Sequence, residues 1–158
     1  MSWNLFFKIY ILKRLFLCET ACEGKHDLTL VLDASSAAGE KGFAKMKKFA
    51  KDFIDGFDIG ERFTHVALVT FGGTASVDLS LNSRANKERV KQQIDALTYK
   101  GGPSSPSSAL NVANNNVFTA SNGMRDQTFN RVSCDGVILR NPYIQRLIVG
   151  VVRATCKH

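Results

Sequence analysis

The run Leu28-Thr29-Leu30-Val31-Leu32 is almost wholly apolar and ends on Asp33, with Ser35 two residues further on. A strand of this kind is buried on both faces, as in a sheet covered by helices. From Glu40 to about Gly56, Phe43, Met46, Ala50, Phe53 and Phe57 recur at helical spacing, and Lys41, Lys45, Lys48 and Asp52 fill much of the remaining face. That pattern predicts an amphipathic helix with a solvated lysine side. His65–Phe71 is a second apolar strand, Gly72-Gly73 a tight turn, and Ala75–Leu79 a short alternating strand that completes a hairpin. Asn86–Leu97 is a helix with Val90, Ile94 and Leu97 as its buried stripe. Gly101–Ser108 is a loop rich in Gly, Pro and Ser, and a further helix runs from near Ser107 to about Phe118.

Strands alternating with helices predict an α/β fold: a doubly wound, mostly parallel sheet with helices on both faces, to which the hairpin adds one antiparallel edge strand. From Gln127 the pattern weakens. Val137-Ile138-Leu139 and Leu147-Ile148-Val149-Gly150-Val151-Val152 are apolar enough for strands, but no amphipathic helix of ordinary length separates them. The chain thus divides into an apolar, basic leader over 1–26, the α/β domain over 27–126 and a divergent segment over 127–158. The sheet is expected to be incomplete at its C-terminus, and an unfinished sheet leaves an edge open to self-association.

In open α/β sheets ligands bind in the crevice beyond the carboxyl ends of the strands, which is where Asp33 and Ser35 fall. Hard oxygen ligands at alternate positions also suit Mg²⁺. Asp33-Ala34-Ser35-Ser36-Ala37 resembles the Asp-x-Ser-x-Ser signature of von Willebrand factor type A domains, the module of matrilins, several collagens and integrin I domains. The likeness continues through Phe57-Asp58-Ile59-Gly60, His65–Phe71, Leu79-Ser80-Leu81-Asn82, Ile94-Asp95-Ala96-Leu97, Gly101-Gly102, Ser107-Ser108-Ala109-Leu110 and Ser121-Asn122-Gly123-Met124-Arg125, in the family's order.

The resemblance implies an extracellular protein-binding or adhesion module, contacting a matrix or cell-surface protein, collagen-like ones included, through the loops at the carboxyl ends of its strands. It also implies secretion, and Mg²⁺ as cofactor. In the family the ion is held by the first Asp through water, by two serines, by a loop threonine and by a later Asp, and an acidic residue of the partner fills the remaining position. Here Asp33 and Ser35 match the first two positions. Ala37 stands at the second serine and offers no ligand atom. Ser104 aligns with the loop threonine, and Asp135 of Asp135-Gly136 with the later Asp, about three residues early. The metal set is therefore Asp33, Ser35, Ser104 and Asp135. The loss at position 37 predicts a degenerate site, with a metal-independent structural module of a matrix assembly as the alternative function.

At 158 residues the chain suits one domain. Its net charge of +7 is unevenly spread. Residues 27–126 carry twelve Lys or Arg against eleven acids, whereas residues 127–158 carry five against one. A nucleic-acid reader would concentrate charge on its folded face, so nucleic acid is not expected as a partner. Leu5–Leu17 is apolar but broken by Lys8, Lys13 and Arg14, too short and too charged for a transmembrane span. It reads as a divergent signal segment, an incorrectly placed gene start or an interfacial anchor. Four cysteines allow three pairings; of these, Cys22–Cys156 is implied by the family, in which cysteines flanking the module often pair. There is no nucleotide-binding glycine motif, and the three histidines, His26, His65 and His158, are scattered, giving Ser35 no base. An enzyme is not expected.

Overall fold

The computed structural model describes residues 26–125 and the backbone of 147–154. Strand β1 (His26–Asp33) is followed by helix α1 (Gly39–Ile54), strand β2 (His65–Gly72), strand β3 (Thr74–Leu79), helix α2 (Lys87–Ala96), helix α3 (Pro106–Val112) and strand β4 (Leu147–Ala154). The sheet order is β3-β2-β1-β4, which puts β1 inside the sheet.

Period-two alternation sends the side chains of β1 and β2 to two separate cores. Leu28, Leu30 and Leu32, with Val66 and Leu68, pack against Phe43, Met46, Ala50 and Ile54 of α1 and Val90 and Ile94 of α2. Val31, Ala67, Val69 and Phe71 pack on the other side against Ala109, Ala113, Val117 and Phe118. All eight positions of β2 are buried. This is the helix-on-both-faces α/β class that the apolar strands predict.

The pairing departs from the expectation in one respect. The β1–β2 pair is parallel and β2–β3 is the expected antiparallel hairpin, but β4 also runs antiparallel to β1, so the described sheet is mixed rather than mostly parallel. The connection from β3 to β4 contains both α2 and α3, so its length and helices allow β4 either direction, and an apolar strand pairs with β1 either way.

Two helix ends also differ. Helix α1 stops at Ile54, so Phe57 lies beyond it, yet the Phe57 ring still packs on Phe53, with centroids 5.2 Å apart. The expected helix over 107–118 is α-helical only to Val112 and then widens into a π-turn over Ala113–Val117. The run Asn114-Asn115-Asn116 occupies that turn, and Asn is a poor helix former because its amide competes for backbone groups. The expected strand at 137–139 and the leader 1–26, His26 apart, lie outside the described residues.

At the end of the sheet where β1 and β2 begin, a polar cluster is enclosed. Asp27 and His65 are register partners and both are buried. The Asp27 Oδ2 accepts the backbone N–H of Arg125 at 2.9 Å, and Arg125 Nη1 lies 3.5 Å from Asp27 Oδ1. Burial pulls the Arg125 guanidinium below its ordinary proton affinity, and the Asp27 carboxylate opposes that shift.

Candidate functional site

Three loops meet where β1 and β2 end. Beyond Asp33, the N–H of Ala34 donates to the Phe71 carbonyl at 2.7 Å, carrying the β1–β2 ladder one step into the loop. The Ala34 carbonyl accepts the N–H groups of Lys100 and Gly101, at 3.1 and 2.8 Å. Ser36 N–H donates to the Gly102 carbonyl and Gly73 N–H to the Pro103 carbonyl, both at 2.9 Å. The loop after α2 is thereby stitched to the β1–α1 loop on one side and to the β2–β3 turn on the other. Gly72 makes the close approach possible: a Cβ there would stand 2.6 Å from the Gly101 oxygen and 2.8 Å from that of Ala34.

Within this frame lie three of the four residues of the expected metal set, Asp33, Ser35 and Ser104. Asp33 is buried, and its Oδ1 accepts the backbone N–H of Ser35 at 2.9 Å, a short-range turn that aspartate favours. Its Oδ2 accepts the Ser104 hydroxyl at 3.1 Å across 71 positions of sequence. Ser35 is fully buried and its Oγ has no hydrogen-bond partner among the described residues. A buried, unsatisfied hydroxyl costs on the order of 1–3 kcal/mol, and a cation at this point would satisfy it. Asp33, Ser35 and Ser104 therefore come together, and Ser36 and Ala37 beside them are exposed. Asp135, Cys22 and Cys156 lie outside the described residues. No group of three or more His, Cys, Asp or Glu is gathered among the described residues; those of the predicted set that are described offer one carboxylate and two hydroxyls.

One supporting network escapes the sequence reading. Lys100 Nζ donates to Ser76 Oγ at 2.6 Å and to the Thr70 carbonyl at 3.2 Å, and Thr70 Oγ1 donates to Asp78 Oδ2 at 2.7 Å. This ties the base of the 100–104 loop to the hairpin. Thr70, a hydroxyl inside an otherwise apolar strand, is the residue that could have pointed to it.

The signature at the end of β1, the glycine-mediated loop contact and the order of elements agree with the comparison with known sequences: the model of the von Willebrand factor type A domain matches residues 27–136. The chain belongs to that family. Among curated relatives, matrilin-3 of Gallus gallus is 30% identical over 71% of this chain and 25% of its own length. The von Willebrand factor of Rattus norvegicus is 31% identical over 67% of this chain and 25% of its own. Vitrin of Mus musculus is 29% identical over 64% and 16%. The chain thus spans a quarter or less of these type A domain proteins. Among solved structures, proximal thread matrix protein 1 of the mussel byssus superposes with a TM-score of 0.57 at 31% identity, covering 61% of this chain and 26% of that one. A further structure of that protein, described as having a zinc-occupied MIDAS motif, gives 0.55 at 32% identity. No helix among the described residues is long and apolar enough to cross a membrane.

Proposed function

We propose that this type A domain is a secreted, non-catalytic binding module that contacts a matrix or cell-surface protein through the three stitched loops. The observation that carries the reading is their construction. Exposed Ser36, Ala37, Gly73, Gly102 and Pro103 surround buried Asp33 and Ser35 and half-buried Ser104, and backbone hydrogen bonds hold Ser36, Gly73, Gly102 and Pro103 in place. A preformed surface of this kind loses little conformational freedom when a partner docks. The relatives support the partner class: matrilins, vitrin and von Willebrand factor are extracellular matrix and adhesion proteins, not enzymes.

The metal contribution is proposed to be weak. Asp33, Ser35 and Ser104 would hold Mg²⁺, which takes hard oxygen donors in octahedral geometry, and Asp135 is proposed as the second carboxylate. The zinc-occupied motif of the mussel protein supports a divalent cation in such a site. Ala37 removes one direct oxygen, which favours the second reading, a structural module working without metal. Cys22–Cys156 is proposed to tie the ends of the module.

The test is binding of the full chain to immobilised fibrillar collagen, in Mg²⁺ and in EDTA, alongside Ser36→Arg, Pro103→Arg and, on the far face of α1, Lys48→Glu. The reading expects saturable binding that the two loop substitutions abolish and the helix substitution leaves intact. Binding indifferent to the loop substitutions, or no binding at all, overturns it. Loss in EDTA separates the metal-assisted form from the metal-free one.

A further inference from the structure

At the end of the sheet opposite the loops, two buried polar atoms face each other without a hydrogen bond. His65 Nδ1 lies 3.6 Å from Asp27 Oδ1, and neither atom has a hydrogen-bond partner among the described residues. The other ring nitrogen defines the tautomer. His65 Nε2 is 3.1 Å from the Glu61 carbonyl oxygen, which can only accept, so Nε2 carries the hydrogen. In the neutral ring Nδ1 then presents a lone pair to a carboxylate oxygen, an acceptor facing an acceptor in a buried place. A proton taken up from water at Nδ1 turns that contact into a charge-assisted hydrogen bond and satisfies both atoms at once.

We propose that Asp27, His65 and Arg125 form a proton-operated clamp, in which protonation of His65 tightens the hold of the sheet on the backbone at Arg125. The clamp joins three parts of the chain. Asp27 sits at the start of β1, His65 at the start of β2, and Arg125 follows the short 3₁₀ turn Ala120–Asn122. Arg125 is fastened by its N–H to Asp27 Oδ2 and by its guanidinium, through Nη2, to the Phe63 carbonyl. Drawing Asp27 Oδ1 toward the imidazolium fixes the carboxylate, and with it the oxygen that accepts the Arg125 N–H.

The charged groups around the ring decide how strongly the clamp acts. The Asp27 carboxylate faces the ring, and the Arg125 guanidinium lies 3.5 Å from the same carboxylate oxygen. The Glu61 carboxylate is engaged by Arg84 at 2.7 Å, and only its carbonyl meets the ring. On β4, Arg153 occupies the register position opposite Asp27. Proton uptake by the folded form means that the clamp tightens as pH falls and loosens as pH rises.

The experiment is amide hydrogen exchange of the full chain between about pH 8 and about pH 5.5, the range in which histidine changes charge, with nitrogen NMR of the His65 ring. Protection of the Arg125 amide, scaled to its intrinsic rate at each pH and to the Ala34 amide as control, is expected to rise about tenfold on acidification, the effect of one added charge-assisted hydrogen bond. His65→Gln is expected to abolish that rise. Over the same range the NMR is expected to show Nδ1 gaining a proton while Nε2 keeps its own. A ring that stays singly protonated, protection that is flat or falls on acidification, or an undiminished rise in His65→Gln overturns the proposal. The wild-type NMR titration decides even if the variant does not fold.

Discussion

Gly72→Ala is the sharpest probe of how the three stitched loops are held. The new Cβ would sit 2.6 Å from the Gly101 oxygen, 2.8 Å from the Ala34 oxygen and 2.9 Å from the Ala34 carbonyl carbon. All three are backbone atoms and cannot swing aside, so the loops must part by more than half an ångström to restore van der Waals contact. Overpacking of this kind costs about 1–3 kcal/mol. Parting the loops also stretches the bonds from Lys100 and Gly101 to the Ala34 carbonyl, each worth on the order of 1 kcal/mol. A total near 3 kcal/mol lowers the Tm of a domain this size by roughly 10–20 °C. Gly39→Ala is the control. Gly39 has φ +67° and nothing within 4 Å of an added Cβ, so it carries only the left-handed backbone penalty of about 1 kcal/mol. Urea denaturation of both variants, with the slope checked for constancy, gives the comparison. If Gly72→Ala is no more destabilising than Gly39→Ala, the close approach of the three loops is not what organises this surface.

Ala37→Ser restores a hydroxyl beside Asp33, Ser35 and Ser104 and is expected to raise Mg²⁺ affinity several-fold with little change in stability, measured by calorimetric titration. No metal binding by the variant would mean that Asp135 does not reach the site. Leu30→Ala removes a fully buried side chain from the core between β1 and the helices α1 and α2 and is expected to cost about 2–5 kcal/mol in chemical denaturation. A cost below 1 kcal/mol would show that this face of the sheet is not packed as described.

The elements that position the site were legible because they are local. An apolar run ending in Asp33, the helical recurrence of Phe43, Met46, Ala50 and Phe53, and the Gly72-Gly73 turn each lie within a short window, where side-chain period reports burial directly. Ser104 was found by its family register, counting back from Ala109, and the structure brings it to Asp33. The direction of β4 was not legible, because an apolar strand pairs equally well either way and the connection that precedes it allows both. The Lys100–Ser76–Thr70–Asp78 network and the Asp27–His65–Arg125 cluster were missed for a related reason. Apart from the Thr70–Asp78 bond, which spans 8 positions, their contacts join residues 24 to 98 positions apart, and no pattern in the chain brackets them. Buried polar residues inside apolar strands, Thr70 and Asp27 above all, are the trace that such networks leave in a sequence.

The loops at the carboxyl ends of β1 and β2 are joined to one another mainly by main-chain groups: Ala34 to Phe71, Lys100 and Gly101, Ser36 to Gly102, Gly73 to Pro103. Bonds of this kind are indifferent to the side chains that project from the same residues. The outward-facing positions 36, 37 and 103 can therefore change identity while the platform beneath them keeps its shape, so long as Gly72 stays a glycine. Selection for a new partner can act on those positions one at a time, with each intermediate still folded. Retuning recognition and preserving the scaffold become separable problems in this molecule.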